Sequence, residues 1–242
     1  MRIKIISILF LFFFALSSQA QKTNVISISQ DMMTSLKMNL PLSDYETQLA
    51  IVAFETLNNQ LDTDLKKQAF WANIYIVYSQ KLINQNGECK KGCRNQKIVT
   101  VGNRVFSLND ILYKILLHSK SKITGGKNLI ASKWEKELRV NYPDGRVLLA
   151  IDSHDTIANA VTYYEPEKMD AQLNETSRLF LVSFVYYDLD KNLVYLPLWI
   201  KRFKREFGKK SGVIAGLKRA EIIPENIIDT RIEYSDKIAT FK

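Results

Sequence analysis

Phe70-Trp71-Ala72-Asn73-Ile74-Tyr75-Ile76-Val77-Tyr78 is the stretch on which the fold turns. Phe70, Ile74, Val77, Tyr78 and, further on, Leu82 recur at helical spacing, and Trp71 and Tyr75 widen the stripe they form. So broad an apolar surface predicts a central, largely buried helix over about 64–84. Working outward on the N-terminal side, Ser43-Asp44-Tyr45-Glu46 has the form of a capping box. Leu49, Val52, Ala53 and Leu57 follow it at helical spacing.

On the C-terminal side, Lys97–Val101 and Arg104–Phe106 flank Gly102-Asn103, the signature of a β-hairpin. Ser107, with Asp110 three residues on, predicts a capped helix over about 108–117. Residues 118–133, rich in Lys, Ser and Gly, read as a surface loop. Arg146–Ile151 is a short, mostly apolar run that reads as a buried strand. Pro166 suits the first turn of a long helix to about 182. Val185–Tyr187 and Leu193–Leu196 flank Asp188-Leu189-Asp190-Lys191-Asn192 as a second hairpin. A helix from Leu198 to Gly208, a short one after Ser211 and a strand around Arg231–Tyr234 complete the chain. Helices outnumber strands, and nothing rich in Pro, Gly or Ser divides the chain. The expectation is an α+β fold: a mostly helical single domain over residues 21–242, with a small antiparallel sheet or hairpins.

Of the 242 residues, 46% are hydrophobic and only 9 are Gly and 5 Pro, which excludes a disordered or collagen-like chain. Residues 1–20 have the layout of a signal peptide: Arg2 and Lys4, an apolar run from Ile5 to Leu16, then small residues at Ser18 and Ala20. That run is shorter than the ~20 residues a membrane-spanning helix needs. The expected mature protein is exported, periplasmic or extracellular, without a transmembrane segment once the signal is removed. Removal of Arg2 and Lys4, with no acid in the same segment, lowers the formal charge of +9 to +7. In an exported protein, Cys89 and Cys93 read as a small disulfide clipping a turn. The rival reading is half of a metal site, for which a second ligand pair is missing.

The order of several segments resembles a bacterial and plant family, domain of unknown function 547. Phe70-Trp71-Ala72-Asn73-Ile74-Tyr75 is similar to its Phe-Trp-x-Asn-x-Tyr helix, and Phe106-Ser107-Leu108-Asn109-Asp110-Ile111 to its Tyr-Ser-Leu-x-Asp-Ile segment. Arg146–Ile151 falls where the family has an Arg-led strand, and Tyr164–Leu173 resembles its Tyr-x-Pro-Glu-x-Leu-x-x-Gln-Leu helix start. Trp199, Phe207 and Gly208 sit where an aromatic helix of the family ends. The likeness spans roughly residues 50–220. Its departures bear on function. By register from Arg146, Ser153 and Ala158 stand where the family carries two cysteines, and Leu148 where it carries a histidine. Leu112 and Tyr113 replace a Glu-His pair, and Ile76 replaces a second asparagine. The resemblance therefore implies a divergent member with a degenerate site, unable to use thiol chemistry.

Ser153, His154 and Asp155 are the remaining catalytic candidates, for a hydrolase using Ser153 in place of cysteine. Neighbouring side chains on an extended chain point to opposite faces, so Ser153 and His154 are poorly placed to pair. His118 is the only other imidazole. As metal ligands, Asp152, His154 and Asp155 match no recognised spacing, and Asp188, Asp190 and Asn192 read better as an Asx-rich turn. Hence no cofactor and no metal are expected. A binding role is preferred, centred on Asn73, Tyr75, Asp152 and His154. Lys201, Arg202, Lys204 and Arg205 form a basic run around Trp199, Phe203 and Phe207. Such a face is either merely solvated or a surface for an anionic envelope polymer. No nucleic-acid-reading motif accompanies it.

Overall fold

The computed structural model describes residues 24–87, 89, 92–118, 120, 131–152 and 161–236. The signal-like segment 1–20 lies outside them. So do Ser153, His154, Asp155 and Ala158.

The fold is built around helix α4, named here with those before it: α1 (Val25–Lys37), α2 (Ser43–Ile51), α3 (Phe54–Gln60) and α4 (Asp64–Asn86). Thr63 caps α4 by accepting the Lys66 N–H at 3.2 Å, and Gly87, at φ 74°, closes its last turn on Ile83. Residues 67–78 are buried without interruption, as the wide stripe predicts. α1, not anticipated, lies along α4 and inserts Val25, Ile28, Met32 and Met33 into the core. Its start is fixed by Asn24, whose side chain accepts the N–H groups of Ile26 and Ser27.

The expected helix beyond Ser43 exists, but Ser43 does not cap it: α2 begins after Leu42 with no side-chain cap. It also breaks early. Val52 and Ala53 adopt extended ψ values of 134° and 136°, which turns the chain into α3.

Strands β1 (Lys97–Val101) and β2 (Arg104–Ser107) pair antiparallel through Gly102 and Asn103, both with positive φ, the turn required for a two-residue hairpin. The turn docks on α2, Gly102 and Asn103 donating to the carbonyls of Leu49 and Ala50 at 2.9 Å. The capping box predicted at Ser107 forms in both directions. Ser107 N–H donates to Asp110 Oδ2 at 2.8 Å, and Asp110 N–H donates to Ser107 Oγ at 3.1 Å. The segment it starts, Asp110–Leu116, is a π-helix rather than an α-helix, with Leu117 N–H bonded to Leu112 O five residues back.

Two further expectations are corrected. The end of the 118–133 stretch is the start of helix α5 (Lys133–Leu138), and Lys120 within it is buried. Arg146–Ile151 is not a strand; with Asp152 it forms helix α6 (Arg146–Asp152). Every residue from Val147 to Ile151 is buried, so the run shows neither the alternation of a strand nor the stripe of a surface helix. The start signal lies just upstream, in Asp144, whose carboxylate accepts the Arg146 N–H at 2.8 Å.

A 3-10 turn at Pro166–Lys168 leads into helix α7 (Met169–Phe184), as Pro166 implies. Strands β3 (Tyr186–Asp188) and β4 (Leu193–Pro197) form the second hairpin. β5 (Arg231–Ser235) adds to β4 in parallel, so the second expected hairpin is extended into a mixed three-stranded sheet. Leu198–Phe203 is a short 3-10 helix instead of an α-helix reaching Gly208, and helix α8 (Lys209–Arg219) follows. Apolar residues gather in two clusters. One surrounds α4; the other joins α7, α8 and β4, and the partly buried Trp199 and Phe207 pack against both. The result is a mostly helical α+β fold with two small sheets.

Asp110 makes this fold acid-sensitive. Burial pushes its carboxyl up, but the Lys114 and Lys97 ammonium groups and the Ser107 N–H and hydroxyl together hold it well below its usual 3.8. A carboxyl so depressed stabilises the folded chain above the unfolded value and ceases to do so as pH falls through the folded one. Asp110→Asn is expected to lower unfolding free energy at pH 7 by about 1–3 kcal/mol. The gap to wild type should close as urea titrations are moved from pH 5 toward pH 2.

Candidate functional site

Asn73 and Tyr75 sit one turn-fraction apart on α4 and face different tasks. Asn73 is fully buried. Its Nδ2 donates to the carbonyl of Tyr164 at 3.0 Å and to Ser29 Oγ at 3.3 Å, while its Oδ1 accepts the Tyr164 N–H at 2.8 Å. Both ends of the amide are thus occupied by the protein itself, across 91 residues of chain. Gln172 does the same next door, accepting the Glu165 N–H at 2.8 Å and donating to Tyr163 O at 2.9 Å. The Tyr164 hydroxyl closes the set against Thr176 at 3.2 Å, and burial pushes it up to about 12. Asn73 therefore clamps the segment that delivers α7.

Tyr75 lines a cleft of about 200 Å³ at the C-terminal end of α6. Leu148 and Ile151 of α6, Leu112 and Tyr113 of the π-helix, and Trp199 and Phe203 of the 3-10 helix form its walls, with Asn109, Arg94 and Arg202 also at its edge. Tyr113 stacks on Phe203 with centroids 6.3 Å apart, and the Arg202 guanidinium lies 5.7 Å from the Tyr113 ring. Leu112 and Tyr113 of the π-helix and Leu148 of α6, three of the positions singled out by departure from the family pattern, are thus brought together from two elements. Ile76, another of those positions, is buried in α4 and does not line the cleft, and Ser153 and Ala158 lie outside the described residues.

Asp152 is the last residue of α6, adjoining the cleft through Ile151, whereas Ser153, His154 and Asp155 lie outside the described residues. His118 is half-buried with its Nδ1 2.6 Å from the Val140 carbonyl. Asp188 is held by the Lys191 backbone and ammonium at 3.1 and 2.7 Å, and Asn192 accepts from the Tyr187 hydroxyl, as in an Asx turn. Among the described residues no group of three or more His, Cys, Asp or Glu side chains is placed to hold a metal ion. No helix among them is long and apolar enough to cross a membrane.

Cys89 and Cys93 are joined in a disulfide. Its role near the cleft was not foreseen from the sequence. Cys93–Asn95 is a 3-10 turn, Arg94 lines the cleft, and Asn95 Oδ1 accepts from Asn109 Nδ2 at 2.7 Å. The basic run also meets the cleft, because Phe203 points inward while Lys201, Arg202, Lys204 and Arg205 are exposed. The adjacent Glu206 is tied inward by Lys120, at 2.6 Å, and the Lys120 ammonium lies 4.7 Å from the Phe203 ring.

The clamp generates a prediction. Asn73→Leu keeps the volume but strands the N–H and carbonyl of Tyr164, so unfolding free energy should drop by about 2–4 kcal/mol in urea titrations. Tyr75→Phe, which leaves those bonds intact, is expected to change stability far less.

The sequence model of one family, described as protein of unknown function, DUF547, matches residues 59–181. That span runs from the end of α3 through the cleft-forming π-helix and α6 to most of α7. No curated protein and no solved structure matches the chain. With over half of its length matched, the chain belongs to the DUF547 family of proteins of unknown function.

Proposed function

We propose that this protein is an exported, non-catalytic member of its family that binds an anionic polymer of the cell envelope. The cleft beside Tyr75 and the adjoining basic run form the binding face. One observation carries the reading. Leu112, Tyr113 and Leu148, which stand where the family pattern implies acid and imidazole groups, are buried together as apolar and aromatic wall of one cleft, with two guanidinium groups at its edge. Such a surface has cations and ring faces to offer an anionic ligand. Lys201, Lys204 and Arg205 extend the positive charge outward from Arg202. Export is supported by the layout of residues 1–20 and by the disulfide.

Dextran sulfate is a suitable probe, with neutral dextran as control. The protein should bind the sulfated polymer with an affinity that falls as salt is raised, and neutral dextran not at all. Replacing Lys201, Arg202, Lys204 and Arg205 together by Ser should weaken binding by at least about tenfold, roughly 1.4 kcal/mol. Salt-independent binding, or binding untouched by the four substitutions, would remove the proposal. A fluorophosphonate probe separates the hydrolase alternative. Labelling that disappears in Ser153→Ala would mean that Ser153 is a nucleophile and the protein a catalyst.

A further inference from the structure

On the other side of α6 lies a second cavity, of about 550 Å³, which the binding face described above does not use. Its volume is in the range of small-molecule pockets, roughly 300–1,000 Å³. Leu149 of α6, Leu181 of α7, Ile200 of the 3-10 helix and Val213 and Leu217 of α8 give it an apolar body.

The polar groups on its lining are engaged, with one exception. Asp144 bonds Arg146 at 2.6 Å, Glu175 bonds Arg178 at 2.9 Å, and Glu206 bonds Lys120 at 2.6 Å. Each carboxylate on the lining thus has a cation of its own, so none is left uncompensated to attract a cationic ligand or repel an anionic one. Asn174 accepts from Arg146 at 2.7 Å and donates to Asp170 at 3.4 Å. The Ser177 hydroxyl and the second Glu206 oxygen are closed off from solvent and play no part. Arg219 is the exception. It is exposed and lines the cavity, and among the described residues no hydrogen bond or ion pair holds its guanidinium.

The sequence of α8 sets that cation beside open space. Gly212, Gly216 and Arg219 stand at i, i+4 and i+7 and so share one face of the helix. A Cβ on Gly212 would lie 2.1 Å from the Phe207 carbonyl oxygen, so close packing requires that glycine. A Cβ on Gly216 would meet nothing within 4 Å. Glycine inside a helix weakens it relative to alanine, and here no neighbour demands it. What the missing side chain preserves is apolar volume, one turn before an unpaired guanidinium. A ligand complementary to both has a hydrocarbon body and one negative charge.

We propose that this cavity binds a free single-chain amphiphile with one anionic head group, of the medium-chain carboxylate class. The carboxylate pairs with Arg219, and the chain passes Gly216 to lie on Leu149, Leu181, Val213 and Leu217.

The test uses octanoate as probe, with 1-octanol as its uncharged and acetate as its chainless counterpart. Each is titrated at pH 7 and about 0.15 M salt into the full-length folded protein carrying ¹³C-labelled methyl groups. Octanoate should give saturable shifts and intermolecular NOEs to the methyls of Leu149, Leu181, Val213 and Leu217, and acetate neither. Arg219→Gln should weaken octanoate by about three- to tenfold and leave 1-octanol unchanged. Gly216→Leu, which puts a side chain into the open space, should weaken both by at least about tenfold. Replacing Lys201, Arg202, Lys204 and Arg205 together by Ser should leave octanoate binding as it is, since none of the four lines the cavity. Circular dichroism establishes that each variant is folded, and the exposed Arg219 supplies a test that does not depend on Gly216→Leu folding. Absence of the NOEs, octanoate binding unchanged in Arg219→Gln, or 1-octanol binding as tightly as octanoate would overturn the proposal. So would octanoate binding unchanged in folded Gly216→Leu, or lost in the fourfold variant, which would assign the anion to the basic run. Phosphatidylglycerol vesicles bound through Arg219 without octanoate NOEs would assign the cation to a membrane surface and overturn it as well. None of these outcomes touches the dextran sulfate result, which depends on a different face.

Discussion

Twelve consecutive residues of α4, 67–78, have no exposed face, and this is the constraint to which the rest of the chain conforms. A helix buried all round must be covered from every direction. α1 lies along it, Phe106 of the first hairpin packs directly against Trp71, and α6, α7 and the π-helix cover the remainder. Burial of that kind makes an unbonded polar side chain costly, and Trp71 Nε1 in the same stretch is left without a partner among the described residues. Asn73 avoids that cost by fixing the backbone on either side of the peptide groups of Tyr164, and so the core itself determines where α7 begins.

Much of this architecture could be read in the residues. The width of the α4 stripe, the Gly102-Asn103 turn, the Ser107–Asp110 box and Pro166 all act locally, and local signals survive into the fold. Where the reading failed, the deciding contact lay outside the run being read. Val147–Ile151 is apolar at every position, so its periodicity carries no information and Asp144 upstream settles it as a helix. Val52 and Ala53 look like continuing helix, but the chain must bend there to pack α3. The parallel pairing of β5 with β4 depends on a return across some thirty residues, which no short window can display.

The candidate site was legible in a different way. Resemblance to a family pattern picked out Leu112, Tyr113 and Leu148 as departures, without revealing that they share a wall. Tyr75, one of the expected binding residues, lines the same cleft. Asn73, chosen with it, proves to be spoken for by the backbone; nothing in the chain's own spacing distinguishes an asparagine that holds a ligand from one that holds a peptide group 91 residues away. Arg94 escaped notice because its position depends on a turn rather than on a helix or strand. The large cavity behind α6 escaped for a related reason: it is an absence of atoms, marked in the sequence only by Gly216.

The Cys89–Cys93 bond is usually weighed by the stability that a short covalent loop adds, which is small. Its position gives it another significance. The turn it ties presents Arg94 to the cleft, and Asn95 of the same turn is bonded to Asn109 across it. Protein purified in the presence of dithiothreitol would hold that arginine by hydrogen bonds alone. Its surface would then differ from that of oxidised material in the very part offered to an anion, so ligand screens on reduced preparations sample a different molecule.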